Sequence, residues 1–432
     1  MSIPSEILLS PARHLRGSVQ LPGDKSISHR YAMLAGIAEG PSRLENYSTG
    51  ADCASTLGCM HSLGVAWERK NDIIEVQGRG NSLAAPSGPL DCGNSGSTMR
   101  MLSGIVAGQS FTSEMTGDES LSRRPMERVI KPLTEMGARI ESQSGKPPLR
   151  IGGGNLKAID YTMPVASAQV KSCLLFAGLF AEGETRIEEP LRTRDHSEVA
   201  LRTFGVQLER KSLGQGGEVR IRGGQRLRGV EARIPGDLSS AAFFLCAAGL
   251  FPRSQLAIPN LLMNPRRARL LDILMQMGLK IAVTQLEEVN GELVGSLQVE
   301  GAGLKGIKIS GGDSAALIDE IPVLAILGAA SEEGLMVRDA TELRVKETDR
   351  IATVAENLRR MGIQPEELPD GIGIPGGQKF RAAAIDSFGD HRIAMAFSIA
   401  ALLADGPCEI RDADAASVSF PEFFRILRQV TA

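Results

Sequence analysis

Apolar positions along the chain fall into two alternating periods. Tyr31, Leu34, Ala35, Ile37 and Ala38 recur with helical spacing, while stretches such as Ala138 to Ser142 alternate apolar and polar residues as a half-buried strand does. Five helical stretches end in an apolar residue, a glycine and another apolar residue: Leu63 to Val65, Met136 to Ala138, Phe204 to Val206, Met277 to Leu279 and Met361 to Ile363. Each reads as a helix closed by a glycine cap and followed by a strand. A last helix is expected over 420–430. A second set of helices, rich in small residues and opened by polar or glycine-rich loops, begins near Lys25, Asn94, Ser167, Asp237, Ser314 and Asp390.

Together these make six units of strand, helix, strand, helix and hairpin, each of about 70 residues, dividing three and three. The duplication is visible in wording too, since Leu21 to Ser26 (LPGDKS) returns as Ile234 to Ser239 (IPGDLS) without its lysine. The expected fold class is α/β with two similar domains. One spans residues 17–229; the other takes 230–432 together with 1–16, whose strand around Ile7 to Leu9 precedes the first repeat. The glycines at 152–154, 214–217 and 376–377 read as hairpins rather than phosphate loops.

The stretch from Leu21 to Arg30 holds the densest chemistry. A strand-like run ends at Pro22 and Gly23, an apolar-periodic helix follows, and Asp24, Lys25, Ser26, Ser28 and Arg30 lie between. A loop feeding a helix N-terminus offers free N–H groups and a positive dipole end, so Lys25, Ser26 and Arg30 there suit a phosphate. A nucleotide-binding loop fits poorly: Gly17 and Gly23 are a residue too far apart, and Asp24 separates Gly23 from Lys25. The plainer alternative makes Ser26 a helix cap and Lys25 a solvated charge.

Composition narrows the function classes. A net charge of -3 argues against a general nucleic-acid binder, and 4% aromatic residues leave little for stacking bases. Six cysteines without a CxxC pair and five dispersed histidines form no metal-ligand spacing, and read as buried groups in a reducing compartment. The N-terminus lacks a basic region followed by an apolar core, and no apolar run reaches membrane length; 241–251 is the longest obvious one. A cytoplasmic protein acting without membrane or nucleic acid is expected.

Further basic residues stand at the mouths of the repeats: Arg124, Arg194, Lys346, Arg350 and Arg392, with polar neighbours at 94–98 and at Ser167 and Gln169. Any one alone is an ordinary surface charge; together, drawn from both halves, they suggest a cleft between the domains. Lys346, Glu347 and Arg350 are expected on one face of a helix. Asp319 and Glu320 interrupt the apolar run 315–324, where a carboxylate is costly unless partnered, which makes them candidate acids and bases.

The motifs PGDKSISHR, GNSGSTMR, GDESLSRRPM, TRDHSE, RVKETDR and GDHRIAM follow one another in this order. In them the chain resembles the 5-enolpyruvylshikimate-3-phosphate synthase family over nearly its whole length, with wording closer to the bacterial class II subgroup. The resemblance implies the enolpyruvyl transferase fold, two inside-out α/β barrels of three βαβαββ repeats each, closing on substrate. It implies that Lys25, Ser26, Arg30, Ser167, Gln169, Arg194, Asp319 and Lys346 hold shikimate 3-phosphate. Phosphoenolpyruvate, and its competitor glyphosate, would meet Lys25, Gly96, Arg124, Gln169, Arg350 and Arg392. Asp319 would serve the 5-hydroxyl, and Glu347 with Lys25 would deliver a proton to C3. No metal or organic cofactor is implied, and a monomer is expected.

Two positions depart from the pattern of some relatives: Glu342 and Val418 stand where those carry Asn and Lys, so these contacts do not carry over. The related UDP-N-acetylglucosamine enolpyruvyl transferases place a reactive cysteine in the loop that here runs 117–125, which has none. A noncatalytic phosphosugar-binding module on the same repeat is the alternative of another class; the presence of both Asp319 and Glu347 argues against it.

Overall fold

The computed structural model describes residues 3–431. The chain forms two compact units: residues 23–234 with 289–292 make one, and the segments up to Pro22 and from Pro235, without 289–292, make the other. Among the described residues each unit carries three sheets. Every sheet has a short edge strand parallel to its neighbour, and antiparallel pairings follow it in each. In the first unit Leu90–Asp91 pairs with Thr112–Thr116, which pairs in turn with Lys146–Gly152 and, through it, Arg139–Gln143. The short strands Leu227–Arg228 and Glu231–Arg233 complete that unit's opening sheet. In the second unit Arg16–Ser18 has the same role beside Gln255–Leu262, and Glu6–Leu9 closes the last sheet against Cys408–Arg411, where no hairpin follows.

The helices of the first unit that bear on function are α1 (Lys25–Ile37), α2 (Ala51–Ser62), α3 (Gly96–Ala107), α4 (Ala168–Gly178) and α5 (His196–Thr203). Those of the second are α6 (Leu238–Leu250), α7 (Ile321–Ala330), α8 (Arg350–Arg360) and α9 (His391–Ala401). α1, α3, α4, α6, α7 and α9 are buried along almost their whole length, their small and apolar residues packing on most sides and their few charged residues lying near the helix starts. Sheets such as Glu184–Glu189, buried at alternate residues, turn one face inward to cover them. Small residues let the inner helices approach closely. A Cβ on Gly104 of α3 would lie 2.1 Å from the Cys173 carbonyl of α4.

The helices that precede strands end as their glycines require. Gly64, Gly137, Gly205, Gly278 and Gly362 all have φ between +85° and +104°, where an L side chain is strained. Of the three other glycine clusters only 214–217 lies in a hairpin turn; residues 152–154 end a strand, and 376–377 follow one into a loop. Glycine there serves close packing, since a Cβ on Gly153 or Gly376 would run into backbone carbonyls. In the second unit Phe243, Phe244, Phe420, Phe423 and Phe424 pack with ring centroids 5.1–6.1 Å apart, seating the C-terminal helix Phe423–Val430 on α6.

Candidate active site

In the first unit the starts of α1, α3 and α4 are tied together. α1 begins at Lys25, and its cap is Asp24, whose carboxylate accepts the Ile27 N–H at 2.9 Å. Ser26 is therefore not the cap but a first-turn residue, and Arg30 lies one turn further on. Lys25 Nζ pairs with Asp52 of α2 at 2.9 Å. The Arg30 guanidinium is buried and donates to Ser197 Oγ of α5 (2.6 Å), Ser172 Oγ of α4 (2.7 Å) and the Ser26 carbonyl (2.7 Å). Burial draws its pKa down to about 10, with Arg194 adding to that and Asp24, Glu198 and Glu292 opposing it. It stays charged at neutral pH.

α3 is capped by Ser95, which accepts the Thr98 N–H. Arg124 Nη2 donates to Asn94 (2.8 Å) and to Ser120 (3.1 Å), and Asn94 in turn donates to Asp118. α4 is capped by Ser167. Two residues on, Gln169 accepts from Arg100 Nη1 (2.9 Å) and donates to Ser97 Oγ (2.9 Å), which joins α4 to α3. Gly96 faces these cations: a Cβ there would lie 2.9 Å from Arg100 Nη1 and 3.5 Å from Arg124 Nη1. Behind them Lys171, fully buried, pairs with Glu198 (2.7 Å) and Glu189 (3.2 Å). Glu189 also accepts from the Thr193 N–H and hydroxyl, which holds the turn that carries Arg194.

The starts of α1, α3 and α4 thus come together with Lys25 and Arg30 of α1 and Arg100 of α3, and Arg124 joins them from the loop bonded to Asn94, an arrangement suited to anions. The sequence-predicted residues Lys25, Ser26, Arg30, Gly96, Arg124, Ser167, Gln169 and Arg194 all belong to it. Asp52, Arg100, Ser172 and Ser197 were missed. Arg100 falls within the GNSGSTMR motif and Ser197 within TRDHSE, whereas Ser172 has no local signal, being 142 residues from Arg30.

In the second unit the chemistry centres on Asp319. The expected apolar helix breaks at 317–320, and α7 starts only at Ile321, leaving Asp319 and Glu320 in the turn ahead of it. Asp319 meets three cations: Lys346 Nζ and Arg350 Nη1, both at 3.5 Å from Oδ1, and Arg392, which donates to its carbonyl at 2.8 Å and lies 3.9 Å from Oδ2. Glu320 accepts from Ser239 Oγ of α6 and lies 3.7 Å from Arg392.

Lys346 and Glu347 are not on a helix. Asp349 caps α8 by accepting the Ile351 and Ala352 N–H groups, so the helix begins at Arg350, and Lys346 and Glu347 lie in the loop before the cap. Glu347 still reaches Arg350, at 2.6 Å. Arg350 is fully buried and held at both Nε (2.8 Å) and Nη2 (3.2 Å) by Asp390, the cap of α9. Burial works against its charge, but Asp390 and Glu347, and then Asp319, keep its pKa above the ordinary value. Lys346, Glu347, Arg350, Arg392 and Asp319 therefore form one cluster.

Among the described residues no helix is long and apolar enough to cross a membrane. The family model for EPSP synthase (3-phosphoshikimate 1-carboxyvinyltransferase) matches residues 9–427. The 3-phosphoshikimate 1-carboxyvinyltransferase of Solibacter usitatus (strain Ellin6076) is 60% identical over 424 residues, covering 98% of this chain and 99% of that protein. That of Koribacter versatilis (strain Ellin345) is 56% identical over 425 residues, with the same coverage. Among solved structures, an EPSP synthase from Acinetobacter baumannii aligns at 41% identity and a TM-score of 0.87 over 99% of this chain and 98% of that one. The enolpyruvyl transferase NikO from Streptomyces tendae aligns at 18% identity and a TM-score of 0.80 over 98% and 97%, which shows a shared fold alone.

Proposed function

The chain belongs to the EPSP synthase family, and from that premise we propose that it transfers the enolpyruvyl group of phosphoenolpyruvate to the 5-hydroxyl of shikimate 3-phosphate. Phosphate is released, and the product feeds chorismate and aromatic amino acid biosynthesis. The observation that carries this reading is the convergence of three helix N-termini with Lys25, Arg30, Arg100 and Arg124. Both substrates are phosphorylated carboxylates, and each charge-assisted hydrogen bond to them contributes about 1.5–3 kcal/mol.

Shikimate 3-phosphate is assigned to Lys25, Ser26, Arg30, Ser167, Gln169, Arg194, Asp319 and Lys346, and phosphoenolpyruvate to Lys25, Gly96, Arg124, Gln169, Arg350 and Arg392. Asp319 takes the proton of the attacking 5-hydroxyl as the new C–O bond forms at C2. Glu347 with Lys25 supplies the proton that C3 gains. The C3 methyl of the tetrahedral intermediate then gives a proton back to Glu347 as the C2–phosphate bond breaks, which restores the double bond of the enolpyruvyl group, and the surrounding cations stabilise the charge of the departing phosphate. Glyphosate competes at the phosphoenolpyruvate place, and the chain acts as a monomer in the cytoplasm.

The test is inorganic phosphate release, expected only when both substrates are present. Release with UDP-N-acetylglucosamine in place of shikimate 3-phosphate would favour the sister transferase activity. Binding of both substrates without release would reduce the protein to a binding module.

A further inference from the structure

Four buried polar side chains in the first unit take no part in the chemistry above. His29 of α1, Thr56 of α2, and Thr98 and Ser95 at the start of α3 are all 0% exposed. They form an unbroken chain: His29 Nδ1 to Thr56 Oγ1 at 2.6 Å, Thr56 Oγ1 to Thr98 Oγ1 at 2.7 Å, and Thr98 Oγ1 to Ser95 Oγ at 2.8 Å. Ser95 Oγ also accepts the Thr98 N–H at 3.1 Å, so the chain ends on the cap of α3, one residue before Gly96. Polarity there is not demanded by the helix itself. In the duplicated turn of the second unit, Ala242 stands where His29 stands in the first.

We propose that His29, Thr56, Thr98 and Ser95 are positioning residues, a buried relay that sets the start of α3 against α1. It rests on the assignment of α1 to the shikimate 3-phosphate side and the α3 start to the phosphoenolpyruvate side. The relay has a direction. Burial, with Lys25 and Arg30 adding to it, holds His29 well below its ordinary pKa, so the ring is neutral. Its Nε2 has no hydrogen-bond partner among the described residues. Leaving a bare acceptor there costs less than orphaning an N–H, so Nδ1 carries the proton and donates to Thr56. Thr56 then donates to Thr98, and Thr98 to Ser95. One missing hydroxyl therefore leaves the next one without its donor, and the loss reaches the cap beside Gly96. α1 is held independently by the bonds of Arg30 to Ser172 and Ser197.

The test compares Thr56→Val, which keeps the shape and removes the hydroxyl, with Thr56→Ser, which restores it. In Thr56→Val, hydrogen exchange of the amides at 98–99 is expected to speed up about tenfold, the loss of roughly one hydrogen bond, while those at 28–31 keep the wild-type rate. The Michaelis constant for phosphoenolpyruvate should rise about tenfold by the same reasoning, with that for shikimate 3-phosphate unchanged and Thr56→Ser close to wild type. Unchanged exchange at 98–99, equal acceleration throughout the unit, or equal rises in both Michaelis constants would overturn the relay. A wild-type protein that releases no phosphate from the two substrates would instead sink the proposed function, and the exchange measurement would still decide the relay.

Discussion

The two copies of the duplicated turn share a backbone and differ in chemistry. In both, an aspartate caps the helix: Asp24 accepts the Ile27 N–H at 2.9 Å and Asp237 the Ser239 N–H at 2.8 Å. In both the first full helical bond follows, Ser28 N to Asp24 O and Ala241 N to Asp237 O, each at 2.9 Å. Each turn also lies beside an asparagine in the left-handed region, Asn46 and Asn260, both with φ of 53°. In sequence the next residue is Lys25 in one and Leu238 in the other, and Arg30 in the first matches Phe243 in the second. The second copy is sealed: Leu238 is 2% exposed, Arg267 donates to Ser239, and Ser239 donates to Glu320.

A helix start is thus only a scaffold for anion chemistry. What surrounds it depends on the side chains that follow the cap. Arg30 hydrogen-bonds to two hydroxyls and a carbonyl, and its pKa falls to about 10, whereas Arg350, held by Asp390 and Glu347, rises. In the first unit Lys25 pairs with the single carboxylate of Asp52 and Arg30 with hydroxyls. The second holds its charges in a mutual network around Asp319.

Making the first turn read like the second should have the largest effect. Lys25→Leu is expected to lower kcat/KM by about 10²–10⁴ while the fold persists. Asp319→Asn and Glu347→Gln should each fall on the same scale by steady-state phosphate release, about 10²–10⁴. Wild-type turnover in any of the three would remove it from the proton-transfer scheme. The reverse change, Leu238→Lys, should restore no chemistry. It places an ammonium at a sealed position and is expected to lower stability by about 3–5 kcal/mol in urea unfolding; a neutral outcome would mean the second turn is more open than it looks.

A smaller effect is expected at Gly96. The methyl of Gly96→Ala would press on Arg100 Nη1, the end of a flexible side chain, so the fold should tolerate it. Glyphosate is longer than phosphoenolpyruvate and should feel the intrusion more. Its inhibition constant should rise at least about tenfold beyond any rise in the phosphoenolpyruvate Michaelis constant. Equal changes in the two would show that the added methyl does not discriminate. The smallest effect tests what the turns share: Asp24→Ala and Asp237→Ala each remove a cap and should each cost about 0.5–2 kcal/mol by thermal unfolding.

The sequence by itself determined the repeat, because period and punctuation are local properties. A helix that must end before a strand needs a left-handed residue, and the five glycines declare it; a helix buried on all sides must be built of small and apolar residues. The same locality made Lys25, Arg30, Arg124, Gln169 and Asp319 legible as candidates, since each stands in a polar interruption of an apolar pattern, while Gly96 came from the family resemblance. Tertiary structure decided what those residues touch. Nothing near Lys25 in the chain announces Asp52, and the three cations around Asp319 come from segments 27, 31 and 73 residues away. It also moved boundaries. Lys346 and Glu347 have helical spacing, yet Asp349 satisfies the first N–H groups of α8, so the helix starts after them. Propensity acts over a few residues, whereas partners for buried charges and orphan N–H groups are found only once the chain has folded.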